Sequence, residues 1–263
     1  MPAFLDRFRL TDRVALVTGA GRGIGAAVAV AFAEAGADVA ICSRTPDQLK
    51  EVAARIEGVG RRALVMPADV SELDALPSLV ERTAGELGRL DILVNNTGGT
   101  PPKAFLETSS RMFEKAFHFN VTTAFELTKL ATPCLLDSGD GNVINISSAA
   151  GRFANRGSAA YATAKAALTH LTRLLAADLA PRVRVNGIAP GAIATASLET
   201  VLTDQVREAM VAATPLRRLG DPNDIAAAAL WLASPAGAYV TGKMIEVDGG
   251  IQVSNLPTAL PDL

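Results

Sequence analysis

Two tyrosines occur in this chain of 263 residues, and each is followed four residues later by a lysine: Tyr161–Lys165 and Tyr239–Lys243. A phenol beside an ammonium can move a proton near neutral pH. An unperturbed tyrosine ionises near pH ~10, and lowering that by about 3 units takes roughly 4 kcal/mol. A unit charge about 4 Å away supplies about 4 kcal/mol at an effective dielectric of about 20. One well-placed lysine therefore suffices. The bare spacing does not choose between the pairs, but context does. Tyr161 opens a helical pattern, Tyr-Ala-Thr-Ala-Lys-Ala-Ala-Leu, in which positions i and i+4 share a face. Gly242 interrupts the second pair beside a predicted strand, so its side chains need not meet.

The second feature with chemistry in it is Thr18-Gly19-Ala20-Gly21-Arg22-Gly23-Ile24-Gly25. It follows an apolar run and leads into a helical pattern. Glycines permit a tight turn and close backbone approach, and a helix N-terminus offers unpaired N–H groups to a pyrophosphate.

These residues need a scaffold. Apolar runs at Val14–Val17, Val39–Cys42, Ala63–Met66, Ile92–Val94, Val143–Ile146, Val183–Val185 and Met244–Val247 are mostly separated by helix-length segments. Such alternation predicts βαβ units, and the lack of strict polar alternation fits strands buried on both faces. Between them Ile24, Val28, Ala31 and Phe32, and later Leu168, Leu171 and Leu175, follow helical spacing. Gly36 and Gly58 stand where helix C-terminal glycines belong. Asp221-Pro222 and Asn223-Asp224 read as the start of another helix. No repeat, linker or charge block interrupts the pattern. The fold class is α/β: one Rossmann-like, doubly wound sheet of about seven parallel strands flanked by helices. A single domain over 1–263 is expected, with 10–253 as its core and 1–9 and 254–263 as terminal extensions.

Composition narrows the function. The chain is 49% hydrophobic and 20% charged, with a net charge of −2, which leaves no basic footprint for nucleic acid or a membrane surface. Two cysteines, Cys42 and Cys134, are too few for a disulfide scaffold, and with only His118 and His170 beside them no metal site is expected. The longest uncharged apolar stretch, Ile225 to Ala233, falls far short of the roughly 20 residues that span a bilayer. Met1 to Leu10 carries Asp6, Arg7 and Arg9 and does not read as a signal peptide. A reducing cytoplasm is the expected location.

The Gly19, Gly23, Gly25 spacing resembles the TGxxxGxG loop of the short-chain dehydrogenase/reductase family, and the resemblance runs from Leu10 to about Val253. It implies that Gly19, Gly21, Arg22, Gly23, Ile24 and Gly25 hold a nicotinamide dinucleotide. It implies the same for Asp69 and Val70, an adenine-side pair after the third strand. Asn95-Asn96-Thr97-Gly98 is similar to the family's NNAG motif, with threonine replacing alanine, and adds Asn96 and Gly98. Pro190, Gly191, Ile193 and Thr195 match its PGxIxT segment at the nicotinamide. The ribose 2′ position is read at the second strand end, where a carboxylate suits a free hydroxyl and an arginine suits a phosphate. Here Ser43-Arg44 stands there, with Arg22 nearby, while Asp38 lies at the wrong end of the strand. NADP(H) is therefore favoured, with NAD(H) as the alternative.

Ser148 lies 13 residues before Tyr161, the family's spacing, whereas the corresponding residue before Tyr239 is Ala226. Ser148-Ala149-Ala150-Gly151 also fits the small residues that follow the family's serine, and leaves Ser147 as a strand-end structural residue. Asn120 lies 41 residues before Tyr161 and fits the family's fourth position. The resemblance implies a catalytic set of Asn120, Ser148, Tyr161 and Lys165. Tyr161 would exchange the proton and Lys165 would lower its pKa and hold the nicotinamide ribose. Ser148 would bond the reacting oxygen, and Asn120 would hold a water beside Lys165.

The implied reaction interconverts a secondary alcohol and a ketone on a small molecule. Residues Thr214–Gly220 and Ala192–Met210 look most like 7α-hydroxysteroid dehydrogenase members, although 3-oxoacyl-[acyl-carrier-protein] reductases share most of this frame. A non-catalytic NADP(H) sensor on the same fold would predict a broken Ser–Tyr–Lys set. Arg152, Phe153 and Arg156 would line the substrate cleft, where two arginines suit an anionic substrate or are solvated. The amphipathic stretch Ala196–Ala213, with Leu198, Val201, Leu202, Val206 and Met210, reads as one helix and resembles a mobile lid; an ordinary packed helix is the other reading. A homotetramer is implied, formed through the helices containing Asn120 and Tyr161 and through the strand near Met244–Asp248. The tail from Ile251 to Leu263, with Pro257 and Pro261, either covers a neighbouring subunit or is disordered.

Overall fold

Seven strands form one wholly parallel sheet in a computed structural model that describes residues 3–199 and 202–256. They are β1 (Val14–Thr18), β2 (Asp38–Ser43), β3 (Ala63–Pro67), β4 (Ile92–Asn95), β5 (Gly141–Ile146), β6 (Val183–Pro190) and β7 (Met244–Val247). The helices are α1 (Gly23–Glu34), α2 (Pro46–Gly58), α3 (Leu76–Leu87), α4 (Ser110–Phe117) and α5 (Thr123–Asp137). Then follow α6 (Ala159–Leu179), α7 (Ala196–Glu199), α8 (Asp204–Ala213) and α9 (Pro222–Ala233). The strand order β3-β2-β1-β4-β5-β6-β7 reverses between β1 and β4. The crevice above their carboxyl ends is where such sheets bind ligands.

Successive residues of each inner strand point to opposite faces, and both faces are dry. Ala15, Val17, Val39 and Ile41 pack under α1, α2 and α9. Leu16, Ala40, Cys42 and Leu93 pack under α3, α5 and α6. That double burial is why the strands read as continuous apolar runs. Alanines at 26, 29, 226 and 229 are buried between α1 and α9, so these helices lie close to the sheet that carries the glycine loop.

Several boundaries differ from expectation. β6 continues to Pro190 because residues 187–190 pair with Met244–Val247, and the fully buried Asn186 is satisfied by its Nδ2 donating to the Val240 carbonyl at 2.7 Å. Pro190 is tolerated as the last strand residue, where a missing N–H matters least. Gly36 is left-handed as expected (φ 107°), whereas Gly58 ends α2 in ordinary geometry and Gly60 makes the turn (φ 81°). Asp221 caps α9 by accepting from the Asn223 amide at 2.8 Å. The stretch expected as one helix over 196–213 is two: Thr203 caps α8 by accepting from the Val206 amide at 3.3 Å, which starts a new helix. Val201, Pro257, Pro261 and the tail beyond residue 256 lie outside the described residues. Among the described residues no helix is long and apolar enough to cross a membrane.

Candidate active site

The glycine loop bridges β1 and α1. Gly19 is left-handed (φ 63°), and a Cβ on Gly25 would collide with the Gly19 carbonyl oxygen, so the turn closes only around a bare backbone. Thr18 and Asn96 brace it from below. The Thr18 hydroxyl accepts from the Asn96 amide at 3.0 Å, and Asn96 Nδ2 donates to the Thr18 and Gly19 carbonyls at 2.9 and 3.2 Å. Arg22, at the N-cap of α1, offers no side-chain cap. The first amides of the helix are therefore left for a ligand, unlike those of α9.

This loop forms one wall of a cleft of about 900 Å³. Every expected cofactor residue lines it except Gly25, which is buried in the first turn of α1. At one end stand Ser43, Arg44, Asp69 and Val70. Arg44 is largely exposed and its Nη1 lies 3.8 Å from Asp69 Oδ2. Asp69 accepts from the Ser71 amide and hydroxyl at 2.9 and 2.8 Å, and these bonds hold its carboxyl below the usual carboxylate range. Asp38 is at the opposite end of β2, held by Arg61 at 2.8 Å and Arg62 at 2.6 Å. The residues therefore fit a dinucleotide: bare backbone for a pyrophosphate, a helix N-terminus, and an exposed arginine at the Asp69 end.

At the other end α6 brings Tyr161 and Lys165 to one face, opposite Ser148. Tyr161 shares a hydrogen bond with Ser148, and Lys165 Nζ lies 5.9 Å from the centre of the Tyr161 ring. Lys165 is 3% exposed and donates to the Ile146 carbonyl at 2.9 Å. Loss of water around it lowers its pKa to about 8. Tyr161 differs from expectation. Burial raises its pKa, opposed by the Ser148 hydrogen bond. The lysine is itself desolvated and gives one of its three N–H donors to Ile146. Ser147 points away: its hydroxyl donates to the Lys165 carbonyl at 2.9 Å and ties the end of β5 to α6.

Asn120 sits in a π turn, His118–Thr122, between α4 and α5. It does not line the cleft but clasps the loop that does. Its Oδ1 accepts from the Gly99 amide at 2.9 Å, and its Nδ2 donates to the Ala116 carbonyl at 2.8 Å. Asn95 is structural, with Nδ2 donating to Asn145 at 2.9 Å and Thr128 at 3.1 Å.

Arg152 is not placed to meet a substrate. It pairs with Glu246 at 2.6 Å and Asp248 at 2.7 Å, donates to the Ile251 carbonyl at 2.7 Å, and stacks on Phe153. Neither Arg152, Phe153 nor Arg156 is among the cleft-lining residues. The sequence reading missed Gln48, which lines the cleft close against Gly21; only its place in the first turn of α2 beside Ser43 hinted at it.

A family model described as enoyl-(acyl carrier protein) reductase matches residues 19–252. An uncharacterized oxidoreductase of Mycobacterium tuberculosis is 58% identical over 261 residues, 98% of this chain and 99% of that protein. The 7α-hydroxysteroid dehydrogenase of Escherichia coli K12 is 41% identical over 246 residues, 93% of this chain and 96% of that protein. A solved structure described as 7α-hydroxysteroid dehydrogenase complexed with NADH and 7-oxo glycochenodeoxycholic acid matches with a TM-score of 0.91 and 41% identity, over 94% of this chain and 98% of that one.

Proposed function

The chain belongs to the short-chain dehydrogenase/reductase family of oxidoreductases acting on CH–OH groups, and we propose that it interconverts a secondary alcohol and a ketone with NADP(H) as its preferred cofactor. The observation that carries this reading is the buried Lys165 beside Tyr161, with Ser148 hydrogen-bonded to the phenol, in the same cleft as the glycine loop.

A bound nicotinamide supplies or accepts the hydride. In the reducing direction the Tyr161 hydroxyl, kept protonated by burial, gives its proton to the carbonyl oxygen. Ser148 donates a hydrogen bond to that oxygen as negative charge develops. Lys165 offsets the phenolate left behind, and Asn120 keeps the loop at Gly98–Gly99 in place over it. Arg44 and Arg22 line the same cleft and would hold a ribose 2′-phosphate there, while the β2 carboxylate Asp38 is taken up by Arg61 and Arg62, which supports NADP(H) over NAD(H). An intact Ser–Tyr–Lys set speaks against a purely cofactor-sensing role.

The substrate reading is a bulky, uncharged ketone of the hydroxysteroid type. The cleft beside Tyr161 is bounded by Pro101, Pro102, Ala192, Ala196 and Leu198, and the Arg152 charge is spent on two carboxylates. A 3-oxoacyl thioester is the second reading, favoured by the acyl-carrier-protein description of the matching family model. Self-association is part of the same proposal, supported by the exposed Phe113, Phe117 and Phe125 on α4 and α5, and so is a cytoplasmic location. Steady-state assays with NADPH against steroid ketones, acetoacetyl thioesters and small cyclic ketones test the reading. Turnover is expected in the wild type and is lost in Tyr161→Phe. A wild type that binds NADPH but turns over none of these, or undiminished turnover in the variant, rejects it.

A further inference from the structure

His118 opens the π turn that also carries Asn120, and it faces the opposite end of the cleft. Its Nε2 lies 2.8 Å from the Ser71 carbonyl oxygen, 47 positions away in sequence. A carbonyl only accepts, so the imidazole donates. Ser71 in turn gives both its amide and its hydroxyl to one oxygen of Asp69, whose other oxygen lies 3.8 Å from Arg44. Asp69 and Arg44 line the cleft, and His118 and Ser71 do not. Two residues further along, Asn120 grips Gly99 at the nicotinamide end. One short π turn thus holds two loops that close different ends of the same cleft. A π turn carries an extra residue within a helix and re-aims the side chains beside it.

We infer that His118 is a positioning residue for the adenosine half of the cofactor, acting through Ser71 on Asp69 and Arg44. This rests on the reading of the cleft as a nicotinamide-dinucleotide site. Lys115, on α4, also acts on Asp69, by charge alone, whereas His118 is tied to Ser71 by a hydrogen bond. Without the imidazole the Asp69–Ser71 turn keeps its internal bonds and loses its tie to the helix beneath it. Cofactor binding should then weaken at the adenosine end.

The test is calorimetric titration of the full-length protein with NADPH, NADH and ADP-ribose, which has the adenosine diphosphate half and no nicotinamide. Wild type, His118→Ala and His118→Gln are compared, glutamine keeping an N–H donor near the Nε2 position. Loss of one hydrogen bond's worth of organisation is expected to weaken NADPH and ADP-ribose alike, by about tenfold in His118→Ala. His118→Gln should stay within about threefold of wild type. Rescue by glutamine separates donation to Ser71 from a packing role. The inference is overturned if His118→Ala binds ADP-ribose as tightly as wild type, or if His118→Gln is as weak as His118→Ala. Failure of the wild type to bind both NADPH and NADH overturns the dinucleotide reading itself, and is seen before any variant is compared.

Discussion

Asn120 and Lys165 converge on Gly98 from two sides. A Cβ built on that glycine would lie 2.7 Å from Asn120 Oδ1 and 2.8 Å from Lys165 Nζ. Only a hydrogen fits against the carboxamide and the ammonium, so the glycine lets Lys165 and the Asn120-held loop sit this close together.

Gly98→Ala is therefore expected to displace Lys165 or the Gly99 loop. Misplacement of a reacting group by about 1 Å lowers rates by about 100-fold. A kcat/KM reduced to that extent, with the far-ultraviolet circular dichroism of wild type, is the expected result. An unchanged kcat/KM would show that the two side chains yield freely.

Lys165 is stabilised poorly by its surroundings and kept for its charge. Its pKa falls from 10.5 to about 8 on burial, so at neutral pH the charged form costs about 3 kcal/mol of stability. Between those values the unfolded chain binds more protons at this site than the folded one. Its contribution to stability therefore rises with pH over that window. Lys165→Met is expected to raise Tm at pH 7 by on the order of 5 °C while abolishing turnover. In the wild type, ketone reduction should decline as pH rises through about 8, where the ammonium discharges. A variant less stable than wild type at pH 7 contradicts this account.

Arg44 reaches the cleft with little to hold it except Asp69 at 3.8 Å. The wild type is expected to prefer NADPH over NADH by at least about tenfold in kcat/KM, a charge-assisted contact to phosphate being worth that much. Arg44→Ala should erase most of the preference by weakening NADPH alone. Equal kcat/KM values for the two cofactors in the wild type would refute it.

Arg152 links the turn after Ser148 to the segment following β7. Asp248 is 7% exposed, and removing its cation leaves a carboxylate short of partners, which costs about 2 kcal/mol. Arg152→Ala should lower Tm by on the order of 5 °C, and Asp248→Asn in the same chain should recover part of that. Strict additivity of the two substitutions in thermal melts would show that the pair does not couple.

Much of the fold was legible because its cues are local. Each inner strand is dry on both faces, so it appears as an unbroken apolar run, and the glycine loop announces the first helix by the turn it must make. Tyr161 and Lys165 were readable as a pair because one helical turn separates them. What the sequence hid was set by partners far along the chain. Arg152 reads from sequence as either an anion receptor or a solvated arginine, and only the fold brings Glu246 and Asp248 against it. Tyr161 was expected with a lowered pKa, and burial raised it. The π turn at His118–Thr122 has no period of its own to read. The sequence alone marked the glycine loop, Ser148, Tyr161 and Lys165 among the residues the crevice gathers, because strand ends and helix starts are written in neighbouring residues. The tertiary structure decided their charge and reach, because burial and long-range partners depend on what the sheet brings together.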